Sequence, residues 1–142
     1  MSDKNDGKKA RLRIVSLMRD PEGGEQELRH AHRGSFREDE GGIVLEYEDE
    51  QDGERAHIEL HFAPGRARMV RKGMTSAQLT FLPGQRTSSA YVTLYGEIPV
   101  MVDTRRVNVT RDGNGGELLL DYDVYVGGEM TARTELCVTW RV

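Results

Sequence analysis

A chain of 142 residues and 16.0 kDa has the length of one ordinary domain and enough material to bury a core, but not the room for a two-domain cofactor enzyme. Its 20 Lys and Arg against 24 Asp and Glu give a formal charge of -4, which argues against general polyanion binding, and its single Cys excludes an intrachain disulfide framework. No apolar run approaches the roughly 20 residues of a membrane helix. The opening MSDKNDGKKARLRI lacks the apolar stretch of a secretory signal, so a soluble, cytoplasmic chain with no membrane partner is expected.

Residues 1–10 carry no periodicity and are expected to be a disordered tail, with one β-barrel domain over 11–142. From Arg11 onward the recurring period is two, that of a strand with one buried face. Leu12, Ile14 and Met18 mark a first strand before the Asp20–Gly24 turn, and a second runs from about Glu25 to Arg37. Ile43, Leu45, Tyr47 and Asp49 alternate with Val44, Glu46 and Glu48. After a Gln51-Asp52-Gly53 turn, Ile58, Leu60 and Phe62 alternate with His57, Glu59 and His61. Pro64-Gly65 leads into Arg66–Lys72, and Leu79 and Phe81 mark a short strand ended by Pro83-Gly84. Tyr91–Val109 reads as strand throughout, with Pro99 requiring an edge, a bulge or an interruption and a phase change between Thr104 and Val107 requiring a bulge. Leu118, Leu120, Tyr122, Val124 and Val126 share a face before the Gly127-Gly128 hairpin turn. Met130, Ala132, Thr134, Leu136, Val138 and Trp140 form the dry face of the returning strand. Some eight to ten strands joined by short turns predict an all-β fold. An up-and-down barrel is preferred because closure removes exposed edges, with a β-sandwich as the alternative.

The segments Gly41–Asp49, Val70–Gly73, Tyr91–Gly96, Val102–Thr104 and Leu118–Val124, in that order and spacing, resemble the YwiB-like proteins, small bacterial barrels of calycin or lipocalin-like type. The resemblance spans about residues 11–142 and implies a closed barrel without implying a reaction. Asp49 stands where the family pattern leads one to expect Glu, which keeps the acid and shortens its reach.

Arg71 is the most informative single residue. If Ala67 and Met69 face inward, so does Arg71, and an inward guanidinium is costly unless it finds partners. It is a candidate anchor for a carboxylate or phosphate. The alternative is a structural Arg paired with Asp49, Glu48 or a strand-end carbonyl. Tyr47, Tyr91 and Tyr122, with Thr93 and Thr104, lie in phase with the inward apolar positions, so they either orient a polar ligand or close an internal hydrogen-bond network. With Asp49 they complete the candidate ligand-binding set. On the supposedly wet side of the last hairpin, Leu119, Tyr125 and Cys137 are candidates for a homodimer or protein-interaction surface.

No metal site and no cofactor are expected. His57 and His61 are about 13 Å apart along an extended strand. His30 and His32 share a face but would need a distant carboxylate, and read as surface or rim residues. Cys137 has no activating neighbour in sequence, no GxSxG is present, and no catalytic residue is assigned. The clusters Arg66, Arg68, Arg71, Lys72 and Arg105, Arg106, Arg111 lack interleaved aromatics, so nucleic acid is not expected as a partner.

Overall fold

The computed structural model describes residues 7–51 and 53–142, so residues 1–6 of the expected tail and Asp52 of the expected turn lie outside the described residues. Ten antiparallel strands close a barrel: β1 (Lys8–Arg19), β2 (Glu25–Asp39), β3 (Gly42–Gln51), β4 (Glu54–Ala63), β5 (Arg66–Lys72), β6 (Ser76–Phe81), β7 (Arg86–Thr93), β8 (Gly96–Asp112), β9 (Gly115–Val126) and β10 (Glu129–Arg141). Each strand pairs with its neighbours in the chain, and β1 pairs with β10 to close the ring. The sandwich alternative is thereby excluded, and no helix among the described residues is long and apolar enough to cross a membrane.

Alternation fills the interior. Leu12, Leu45, Leu60, Phe62, Phe81, Val100, Val102, Leu118, Leu120, Val138 and Trp140 are at most 2% exposed and form the core. The barrel starts earlier than the sequence reading placed it: Lys8–Ala10 pair with Gly34–Phe36, and Ala10 is buried, so these residues belong to β1 and not to a tail. The continuous strand expected over Tyr91–Val109 is instead a hairpin, β7 turning into β8 at Leu94 and Tyr95. These two apolar residues are 75% and 98% exposed, so hydropathy conceals the turn. The expected bulge is present between Thr104 and Arg106. A second bulge between Met130 and Ala132 sets Met130 opposite Tyr125, out of the dry-face series in which the alternation put it.

The seam between β6 and β7 is thin. Its ladder comprises only Ser76–Val92 and Ala77–Tyr91. Further along, Thr87 Oγ1 donates to the Thr80 carbonyl at 2.6 Å, and the Ser89 hydroxyl donates to the Gln78 carbonyl. Side-chain hydroxyls thus replace backbone donors where the two strands no longer pair.

Because the chain meanders, alternate turns share an end. The β1–β2, β3–β4, β5–β6, β7–β8 and β9–β10 connections surround one mouth, with the other four at the opposite end. The opposite end is plugged by Trp140, whose ring lies 5.4 Å from Phe62 and 6.3 Å from Phe36.

Candidate functional site

The β2–β3 ladder is short. It runs only from Ser35–Glu46 to Asp39–Gly42. Meanwhile β2 stays paired with β1 out to Glu25, and β3 with β4 out to Gln51. Past Ser35 and Glu46 the two strands therefore diverge, cutting a notch into the wall at the mouth. Gly34 sits at its apex, where a Cβ would lie 2.2 Å from the Glu46 carbonyl oxygen and 3.0 Å from Leu12 Cδ1. Only a residue without a side chain lets the backbones approach this closely.

One lip of the notch carries His30 and His32, the other Tyr47 and Asp49. The His32 ring stacks on Tyr47 with centroids 4.5 Å apart. His30 Nδ1 and His32 Nε2 are 2.7 Å apart, a hydrogen bond in which one nitrogen donates and the other accepts. One ring nitrogen from each histidine and a carboxylate oxygen of Asp49 all fall within 4.8 Å of one another. Burial, reinforced by the neighbouring His30, holds the His32 imidazole below its ordinary pKa, so it stays neutral near pH 7.

Arg71 approaches from β5, opposite Ile58 and Ala77 and on the face of Ala67 and Met69. Its Nε donates to the Thr75 carbonyl at 3.2 Å, and its Nη1 lies 3.9 Å from Asp49 Oδ2. Both structural partners anticipated from the sequence, a strand-end carbonyl and Asp49, are thus present. The Asp49 contact exceeds hydrogen-bond range, and among the described residues only the Nε–H of Arg71 finds an acceptor. Arg71 remains 29% exposed, with Asp49 at 13%.

The tyrosines line the same interior. Burial and the nearby Asp49 push the Tyr47 hydroxyl far above its ordinary pKa, against the pull of Arg71, and burial raises Tyr91 against the same charge. Both therefore remain neutral donors. Tyr122 lies deeper, its ring 4.7 Å from Phe81 and its hydroxyl hydrogen-bonded to Thr134. Thr104, paired with Tyr122, is 1% exposed, and its Oγ1 has no hydrogen-bond partner among the described residues. Thr93 is engaged elsewhere: its hydroxyl donates to the Gly96 carbonyl at 2.9 Å and accepts from the Tyr95 amide, capping the β7–β8 turn.

The three outer-wall residues separate. Leu119 and Cys137 are cross-strand partners, and Val15 adjoins Cys137 in the same row. Tyr125 lies six residues along β9, about 20 Å away, beneath the Arg86 guanidinium at 4.5 Å. Cys137 donates to Glu117 at 3.2 Å, and burial together with that carboxylate pushes its thiol up to about 11. The basic clusters meet acids: Lys72 meets Glu59, Arg105 meets Asp121 and Asp123, and Arg111 meets Glu38. His57 lies on the outer wall among Glu46, Glu48 and Glu59. A concavity of about 1070 Å³ is an open groove toward the plugged end, lined by Asp39, Val44, His61, Arg66 and Arg68 among others, and it contains none of the mouth residues.

The position of His30 and His32 beside Asp49 was not legible in the sequence. Their spacing showed a shared face, but the carboxylate comes from a strand that has ceased to pair with theirs.

The chain is 21% identical over 129 residues to the uncharacterised beta-barrel protein YwiB of Bacillus subtilis (strain 168), covering 91% of this chain and 90% of that one. The crystal structure of the Bacillus subtilis ywiB protein superposes with a TM-score of 0.86 at 19% identity, covering 95% of this chain and 92% of that one. Residues 13–138 match the domain of unknown function DUF1934, and the chain belongs to that family.

Proposed function

We propose that the barrel mouth binds a small polar or anionic ligand, anchored by Arg71 in the manner of a calycin or lipocalin-like cytoplasmic carrier. The carrying observation is an inward guanidinium with one hydrogen bond among the described residues and a 3.9 Å ion pair, leaving further N–H donors for a planar anion. The neutral hydroxyls of Tyr47 and Tyr91 supply additional polar contacts, and the unpartnered Thr104 Oγ1 supplies a deeper one. Asp49 limits the net positive charge, so the reading favours a ligand with one or two negative charges over a polyanion.

Calorimetric titration with inorganic phosphate and with citrate is the test. At least one is expected to bind the wild-type chain, and Arg71→Met, checked for folding by circular dichroism, is expected to lose at least about tenfold in affinity, the loss of one charge-assisted contact. No binding to the wild type, or equal binding to the variant, overturns the reading. A second reading, a homodimer through the outer wall, rests on the contiguous row of Val15, Cys137 and Leu119. Light scattering at high concentration that finds only monomer removes it.

A further inference from the structure

We propose that the notch between β2 and β3 is a binding site for a divalent transition-metal ion, held by His30, His32 and the carboxylate of Asp49. This set is independent of Arg71, the anchor of the anion reading, although the two share the mouth. On a strand, positions i and i+2 point to one side, so His30 and His32 present both rings to the notch. Their nitrogens are 2.7 Å apart, and the three donor atoms lie within 4.8 Å of one another. Ligand atoms bound at about 2.1 Å around one ion stand about 3.0–3.4 Å apart, so small side-chain rotations complete the geometry. In taking up the ion the pair gives up its hydrogen bond, and the donor imidazole carries its proton on its other ring nitrogen, so that both rings ligate as neutral imidazoles.

Several observations favour an ion over a purely structural histidine pair. The hydrogen-bonded pair already turns one ring nitrogen of each histidine toward the other, beside a largely buried carboxylate. The Tyr47 ring braces His32 by stacking, and the Glu48 backbone accepts a hydrogen bond from the His32 ring, the outer-shell support that orients ligating histidines. Two imidazoles and one carboxylate select a transition metal over calcium or magnesium. Three protein ligands leave at least one coordination position, and Arg71, 3.9 Å from Asp49, stands where it would face an anion on that position. The ion would thus give an anionic ligand a second point of attachment.

The full chain, stripped of metal with a chelator, is titrated with Co(II) and followed by visible absorption, then by Zn(II) displacement. Saturation near one equivalent with ligand-field bands is expected. His32→Gln and Asp49→Asn are expected to lower Co(II) affinity at least about tenfold, because even changes behind a ligand cost that much. His57→Gln, in the outer-wall cluster with Glu46 and Glu59, serves as the control and is expected to leave it unchanged. Arg71→Met removes a neighbouring positive charge and is expected to tighten the metal while weakening phosphate and citrate, so the two readings fail separately. Circular dichroism confirms that each variant folds. No stoichiometric Co(II) binding, binding unchanged in folded His32→Gln and Asp49→Asn, or binding lost in His57→Gln overturns the proposal.

Discussion

Among the described residues, Asp123 is the one carboxylate in the buried polar set, at 6% exposure on the outer wall. Arg133 Nε donates to it at 3.1 Å, and Arg105 Nη1 lies 2.8 Å away. Burial alone would raise its pKa, but the two guanidinium groups outweigh burial and hold it below the ordinary aspartate value. A depressed carboxylate contributes stability that is complete above its unfolded pKa and disappears as pH falls through the folded one. Asp123→Asn is therefore expected to cost about 2 kcal/mol at pH 7, with the loss shrinking in acid below about pH 4. Urea unfolding of both chains across pH 3–7 checks this, and a cost that persists undiminished at the acid end contradicts it. The neighbouring pairs contrast with it. Arg19–Glu25 and Arg29–Glu27 are exposed on both sides, and their removal should be nearly silent.

Among the elements, β2 governs the site because it changes partners along its length. It pairs with β1 from Glu25 to Phe36 and with β3 only from Ser35 to Asp39. Gly34 marks the junction. Gly34→Ala forces a methyl group to within 2.2 Å of a backbone oxygen, which cannot rotate away, so the strands must separate. The expected cost is about 1–3 kcal/mol in urea unfolding, accompanied by a near-ultraviolet signal change from the displaced His32–Tyr47 stack. A variant as stable as wild type would show that the wall at this point is slack.

Legibility follows the same division. Wherever two strands pair without a slip, as β3 with β4 and β4 with β5, alternation revealed the inward face, including Tyr47 and Arg71. Where pairing stops, single-strand alternation carries no signal, and a slip shows only where apolar residues mark a change of phase, as between Thr104 and Val107 but not at Thr131. The notch, the thin β6–β7 seam and the Thr131 bulge were therefore invisible. The Leu94-Tyr95 turn was missed for a different reason, since an exposed apolar pair imitates strand interior. The mouth cluster combines both cases: its individual residues were readable by phase, but the meeting of His30 and His32 with Asp49 depends on strand divergence.

At the scale of the whole molecule, the barrel is divided chemically but not mechanically. Its only Trp sits in the apolar plug, and three of its five Tyr, at positions 47, 91 and 122, line the mouth side. Strands β8, β9 and β10, of 17, 12 and 13 residues, run through both regions and share extensive ladders. A closed ring also leaves no edge along which one end can peel away. These features predict a single cooperative transition, as small domains usually show. Trp140 emission, reporting the plug, and the near-ultraviolet tyrosine signal, reporting the mouth, should give coincident urea midpoints. Trp140→Phe removes volume wedged against Phe62 and the Gly116 backbone, and is expected to cost about 1–3 kcal/mol. In that variant the mouth signal should shift together with far-ultraviolet ellipticity, although residue 140 belongs to the plugged end. If the mouth signal keeps its original midpoint while ellipticity falls earlier, the two ends unfold separately. The notch would then be a locally stable element and not a feature imposed by the closed barrel.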